Sequence, residues 1–418
     1  MHAIEKLLAK KAGLASVRAG QIVNCDVDLA GINDLYYQTV KSFFEMGGEK
    51  VWDPSKVVMF FDHYAPAATI KQAENHKLFR KFCNEQGIDK LMDINEGVCH
   101  QVLADYGLSH PGEIIVVTDS HTTTHGAFGA FGTGVGATDL ATILITGQLW
   151  FMVPEIIKIN LVGKIPEGVY AKDIILHIIG DLGADYGVYK AVEFAGEAVA
   201  QLSVSERMSM CNMSTEMGCK TSYIQPDAVT MEYIKDKVTR PYEIFETDAD
   251  YQYCAELTYD VSKIAPQVAA PFSVDNVFEL AEYEGTPIDE AYLGSCTGGR
   301  LQDIAVAAKI LAGKHIPRSC RMIIVPASRF VLDEAIKAGY ISSLLAAGAT
   351  LAAPGCAACL GVHQGMLTGG ETCISSTNRN FPGRMGHVDG KIFLASPAAV
   401  AASALNGKIT DPRKYLVE

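Results

Sequence analysis

Along the chain, short runs of consecutive apolar residues alternate with longer stretches whose apolar positions recur every three or four residues. VVMFFD (57–62), EIIVVT (113–118), IIKINLVG (156–163), AYLGSC (291–296), RMIIVPAS (321–328) and TLAAPGC (350–356) are uniformly apolar and short, and predict buried strands. Between them, AKDIILHIIGDLGA (171–184), LQDIAVAAKILAG (301–313) and SRFVLDEAIKAGYISSLLAAG (328–348) carry helical spacing. Alternation of this kind predicts an α/β fold with helices layered on mixed or parallel sheets. No internal repeat and no low-complexity linker stands out.

A chain of 418 residues is too long for one hydrophobic core, so two or three domains are expected. The apolar stretch that ends at MVPE sets one boundary near residue 155. The segment KIAPQVAAPFS, after an acidic run, sets another within 265–272. Residues 1–155, 156–270 and 271–418 are the units this division expects.

Composition narrows the function classes. With 49% apolar and 20% charged residues the chain describes an ordinary folded protein. A formal charge of −13 argues against a nucleic-acid partner, because neutralising phosphates takes a basic surface. The start, MHAIEKLLAKKAGLASV, has amphipathic spacing and no signal-like apolar core. The most apolar stretch, LATILITGQLWFMV (140–153), falls short of the roughly 20 residues that span a bilayer, so a cytoplasmic protein with no membrane partner is expected. Eleven cysteines in such a chain read as buried thiols and ligands rather than a disulfide framework.

Five groups of residues carry chemistry. Cys296 ends a strand in LGSCTGGR, and Cys356 and Cys359 follow another strand in APGCAACLG. Three thiolates can hold three irons of a 4Fe-4S cluster and leave the fourth open. Structural zinc, a redox dithiol and inert thiols are the competing readings of the same spacing. For Cys25, Cys83, Cys254, Cys320 and Cys373 a buried core thiol is the expectation. The block VTDSHTTTHGAFGAFGTGVGATD (117–139) sets Asp119, Ser120 and His121 after a strand and continues into glycines. Its GTGVGA matches a dinucleotide pattern only out of context, because the preceding strand lies too far upstream. Glycines that let the chain pass close to a ligand are the more economical reading.

Histidines stand beside carboxylates at Asp62–His63, in NEGVCHQ with Glu96 and His100, and at Asp119–His121, an arrangement that suits tuned general acids as well as structural pairs. In SVSERMSMCNMSTEMGCKT (203–221), Ser203 and Glu206 form a capping box. Asn212 and Glu216, four apart, are expected on one face of the same helix, and on their own they read as merely solvated or capped. STNRNFPGRMG (376–386) places Asn378, Arg379 and Arg384 in one loop, where closely spaced guanidinium groups suit carboxylate binding.

Taken together and in order, DSHTTTHGAFGAFGTGVGATD, GSCTGGR, PGCAACLG and NRNFPGRMG resemble the aconitase family, and the resemblance covers nearly the whole chain. It implies three α/β/α domains around a central iron-sulfur site. Few residues follow Phe381, so the swivelling fourth domain of single-chain members is expected on a separate small subunit, which would also bring the serine base. The enzymes so divided are of the 3-isopropylmalate dehydratase, homoaconitase and 2,3-dimethylmalate dehydratase type, with the first expected here and a small di- or tricarboxylate as substrate. By the same resemblance Cys296, Cys356 and Cys359 are the ligands of a 4Fe-4S cluster whose open iron takes the substrate hydroxyl.

His63, beside Asp62, matches the histidine that protonates the departing hydroxyl; His100 with Asp119 and His121 with Glu216 match two further pairs, with Ser120 between them. Asn212 and Asn378 match residues near the cluster, Arg379 and Arg384 match carboxylate contacts, and Asn33 matches a further substrate position. The chain departs from the family's GSCTNGR by Gly298, which loses an amide near the cluster and keeps the 2,3-dimethylmalate reading close behind. An iron-responsive RNA-binding module is the remaining alternative that the family implies, and the acidic charge opposes it.

Overall fold

Runs of residues apolar on both faces are stable only when covered from both sides, which is the environment of a parallel strand between helix layers. The computed structural model, which describes residues 1–416, places such runs in three sheets joined by helices. A five-stranded, all-parallel sheet has the order Leu91–Met92, Val57–Phe60, Leu29–Asn33, Ile114–Val117, Phe131–Gly134. A four-stranded parallel sheet follows, with Thr221–Tyr223, Ala191–Ala195, Ile156–Val162 and Ala255–Asp260 side by side. The third has seven strands: Val277–Glu279, Gln267–Ala269, Lys391–Ala395, Thr372–Ser375, Glu290–Gly294, Arg321–Val325 and Thr350–Leu351. Its first two junctions are antiparallel and the rest parallel.

The first and third sheets share a winding rule. In each, the chain lays down a strand, adds two more outward on one side, then returns to the other side of the first. The reversal falls between Leu29–Asn33 and Ile114–Val117 in one sheet, and between Glu290–Gly294 and Thr372–Ser375 in the other. At such a reversal the loops after neighbouring strands diverge and open a crevice beyond their carboxyl ends. Asp119 lies two residues beyond the strand at the first reversal; Cys296 and Asn378 lie just beyond the two strands at the second.

Several expectations change on contact with the fold. The stretch 328–348 is two helices, Arg329–Lys337 and Tyr340–Ala346, broken at Gly339 with φ 77°. The apolar segment 140–153 is the end of the helix Ala137–Thr146 followed, after Gly147, by the strand Gln148–Met152. No helix among the described residues is long and apolar enough to cross a membrane. Ser203 and Glu206 form the expected capping box, but their helix ends at Met213 and Glu216 lies in a separate 3-10 turn, Ser214–Met217. Asn212 and Glu216 therefore do not share a helix face. Cys254 is exposed, against its expected place in a core.

The glycines after His121 act by close backbone packing. A Cβ on Gly126 would lie 2.2 Å from the Ser222 carbonyl, one on Gly132 2.3 Å from that of Thr122, and one on Gly134 2.4 Å from that of Asp119. They dock the turn Ser120–Phe128 against its neighbours instead of making room for a ligand. Gly126→Ala should cost about 1–3 kcal/mol through overpacking against Ser222. A lowered urea midpoint checks this, and an unchanged midpoint contradicts it.

Candidate active site

The carboxyl ends of the first and third sheets converge on a cavity of ≈280 Å³. His63, His100 and the Asp119–His121 turn line one side, and Cys296, Cys356 and Cys359 line another. Asn378, Arg379 and Arg384 complete the wall, together with Leu35 and Tyr36. Thus eleven of the residues singled out in the sequence face one space.

His63 is held from several directions. Its Nδ1 is 2.7 Å from Asp62 Oδ1, its Nε2 is 3.5 Å from Asp119 Oδ2, and its backbone N–H donates to Asp34 Oδ1 at 3.0 Å. Burial would lower its pKa, but the Asp62 carboxylate and the hydrogen bond to Asp119 outweigh that and hold it well above the ordinary histidine value. The ring is thereby kept as an imidazolium, a proton donor facing the cavity. Asp119 works in the opposite sense. Desolvation would raise its pKa, yet the charge and hydrogen bond of His100, 2.9 Å away, hold it well below the usual carboxylate range. It also accepts the backbone N–H of His121 at 2.8 Å, as the cap of its own turn.

Behind the wall, His121 Nε2 lies 2.8 Å from Glu216 Oε1, which also accepts from Arg379 Nε at 2.8 Å. Although burial favours the neutral acid, these partners keep Glu216 ionised below its usual value. Asn212 reaches Cys296 Sγ with its amide at 3.1 Å and accepts from Asn378 Nδ2 at 2.6 Å. Both residues, read alone as solvated or capped, are buried and bonded into the site. Asn33 stands apart: it is fully buried, its carbonyl accepts from Thr118 Oγ1 at 3.1 Å, and it does not line the cavity.

The three thiols sit on strained turns. Ser295, just before Cys296, has φ 71°, and Ala357, just after Cys356, has φ 50°, both in the region that disfavours residues with a Cβ. All three thiols are buried. Cys359 is held low by hydrogen bonding from Cys356 and by the Arg384 guanidinium, whose Nη2 is 3.7 Å from its sulfur. Among the described residues, the one set of three potential donors with ligand atoms all within 4.8 Å is Asp34, Asp62 and His63. The cysteines are therefore too widely spread for a single zinc ion, whose sulfur ligands each lie about 2.3 Å from the metal. A close pair of thiols, Cys356 and Cys359, with Cys296 across from them, amide donors on Cys296 and a guanidinium on Cys359, instead fits a polynuclear cluster.

Three comparisons bear on this geometry. The aconitase family (aconitate hydratase) matches residues 5–287 and 279–407. The chain belongs to the aconitase family. The family is one of hydro-lyases, and the chain is a hydro-lyase. It is 50% identical over 413 residues to 3-isopropylmalate dehydratase large subunit 1 of Methanopyrus kandleri, covering 99% of each chain. It is 52% identical over 390 residues to a probable methanogen homoaconitase large subunit of Methanosarcina mazei, covering 93% of this chain and 99% of that one. The crystal structure of Thermococcus kodakaraensis aconitase X (holo-form) matches with a TM-score of 0.53 at 13% identity over 93% of each chain, a likeness of fold.

Several residues of this aconitase-family site were not singled out in the sequence. Asp34 accepts from the backbone N–H groups of His63 and Tyr64 and lies 3.0 Å from His76 Nε2, so it braces the His63 turn. His363 Nε2 meets the His63 carbonyl at 2.8 Å, and the fully buried Arg300 donates to Gln101 and Ser209. Asp34 directly follows Asn33, the last residue of the strand Leu29–Asn33, and Arg300 closes the GSCTGGR block, but the partners that place their side chains are distant in sequence. The alanine and glycine setting of the Cys356 turn is also packing: a Cβ on Gly355 would lie 2.7 Å from the Asp62 carbonyl.

Gly298 has a structural reason. A Cβ there would lie 2.2 Å from Ser376 Oγ, which occupies that space and accepts the Gly294 N–H at 3.0 Å. Ser376 therefore leaves no room for a side chain at this position. Gly298→Ala should destabilise by about 1–3 kcal/mol, and by less in a Ser376→Gly background. A double-mutant cycle of unfolding midpoints checks the coupling; additive effects would contradict it.

Proposed function

We propose that this chain is the large subunit of a 3-isopropylmalate dehydratase, holding a 4Fe-4S cluster through Cys296, Cys356 and Cys359. The observation that carries the proposal is the meeting, in one cavity, of three buried thiols, His63 held by Asp62 at 2.7 Å, and two arginines. Arg384 Nε is buried without a hydrogen-bond partner, a cationic group in want of an anion. When bound, the cluster supplies a Lewis-acidic iron toward the substrate hydroxyl. His63 donates the proton that lets the hydroxyl leave as water, and Asp62 keeps that proton on the ring. Arg379 and Arg384 bind substrate carboxylates, the latter aided by its place over the Phe381 ring. Glu216 orients both Arg379 and His121; His100 keeps Asp119 ionised beside His63.

The base that removes the proton from the neighbouring carbon comes, in this reading, from a separate small subunit, as the large-subunit relatives suggest. The homoaconitase relative at 52% identity favours a second reading, in which the substrate is a homocitrate-like tricarboxylate. The protein works in the cytoplasm as three α/β units, 1–155, 156–270 and 271–418, with no nucleic-acid or membrane partner.

The chain reconstituted anaerobically with iron and sulfide should take up close to one cluster. Combined with its small subunit it should turn over 3-isopropylmalate faster than homocitrate, citramalate or 2,3-dimethylmalate, and alone it should be nearly inactive. A wild-type chain without iron-sulfur absorbance removes the cluster assignment, a preference for another acid replaces the substrate, and full turnover by the chain alone removes the subunit division.

His63→Ala should lower kcat by roughly 100- to 10,000-fold, the usual worth of general acid catalysis, with cluster content preserved. Iron analysis alongside steady-state rates separates this from a structural role, in which both fall together.

A further inference from the structure

Lys172 is the second residue of the helix Ala171–Leu182 and is almost completely buried. Three features make an ammonium costly there. The interior removes its hydration, and among the described residues no carboxylate lies within 4.0 Å of it to compensate. The positive end of the helix dipole faces it, where an acidic residue would be favoured. The adjacent Asp173 gives no relief, since its oxygens accept the backbone N–H groups of Tyr170 and Gln267 at 2.9 Å each.

What Lys172 does touch is one loop. Its Nζ donates to the Thr377 carbonyl at 2.5 Å and the Ser376 carbonyl at 3.3 Å, and stands 3.6 Å from Met213 Sδ. That loop continues into Asn378, whose amide contacts Cys296 Sγ at 3.4 Å, while Met213 follows Asn212, whose amide contacts the same sulfur. The ammonium therefore sits one layer behind Cys296. Burial pulls its pKa down to about 8, and the groups that pull it back up are, in order, Cys296, Cys359, Glu216 and Asp303. Of these, Glu216 is already matched by Arg379 and His121, and Asp303 by Arg300, whose backbone N–H it accepts at 2.9 Å. The thiolates are left as the anions for which this charge is placed.

We infer that Lys172 is the buried counter-charge for the thiolates of Cys296 and Cys359 and for the cluster they hold. It is a positioning residue, acting on the cluster through charge and through the Ser376–Asn378 loop without reaching the cavity. The inference rests on the cluster assignment proposed above.

The test uses the full chain reconstituted anaerobically, as wild type and as Lys172→Gln and Lys172→Met. Glutamine can still donate to the two carbonyls, so it removes the charge and keeps the tether; methionine removes both. Without the nearby positive charge the reduced cluster is less favoured, so the reduction potential of Lys172→Gln should fall below that of the wild type. Loss of iron to a chelator should quicken by roughly 10- to 100-fold. The metal-free Lys172→Met protein should melt above the metal-free wild type, because an unpaired buried charge is gone. A Lys172→Gln cluster with wild-type potential and wild-type iron loss would overturn the inference. So would a metal-free Lys172→Met protein that melts below wild type while the Lys172→Gln potential is unmoved. A wild-type chain that takes up no cluster defeats the cluster assignment itself, an outcome distinct from either.

Discussion

Asp62 joins the three parts of the site through separate acceptors. One carboxylate oxygen meets His63 Nδ1 at 2.7 Å, the other accepts the Cys99 N–H at 2.9 Å beside His100, and the backbone carbonyl accepts the Cys356 N–H at 2.8 Å. His63, the start of the His100 helix and the Cys356 turn are thus referred to one residue. That residue is fully buried, where hydrogen bonds are strong and the loss of any partner is expensive. The position of the Cys356 turn relative to His63 follows from this bonding, since Asp62 and His63 are consecutive.

The electrostatics of the site follow a related logic. Lys172, Arg300 and Arg384 are buried around the cysteines; Asp119 and Glu216 are matched to histidines and, for Glu216, to Arg379, and Asp303 stands beside Arg300. Cations buried in excess of their local anions are unfavourable in an isolated protein and become favourable once negative charge arrives. On the proposed function, three cluster thiolates and a substrate carboxylate would supply that charge. The site is in this sense incomplete by design of its charges: neutrality is reached when ligands are present. Arg384 serves both, touching Cys359 with one nitrogen while another stays without a partner.

The winding of the sheets explains why residues so far apart in sequence meet. Two sheets with the same strand order each open a crevice where their winding reverses, and the cavity lies where loops from both arrive. The two sheets carry no repeated sequence, so their common winding arises from the shared rules of right-handed strand–helix–strand connection rather than from a copied motif. The four-stranded sheet contributes from behind, through the helix Val204–Met213 and the turn that carries Glu216.

The sequence by itself determined the α/β class, because apolar runs and helical spacing are local properties that burial then enforces. It also named residues that the fold brings together: eleven of them line one cavity, with Asp62, Asn212 and Glu216 directly behind it, while Asn33 lies apart. Tertiary structure alone decided the rest. That Asn212 and Glu216 part company depended on where a helix stopped, and helix ends are set by packing as much as by composition. The roles of Asp34 and Lys172 came from partners 29 and 205 residues away, which no local pattern records. That Gly298 has no room for a side chain followed only from the packing of Ser376 against it. Spacing along a chain can name the groups; only close packing in three dimensions fixes which charge faces which.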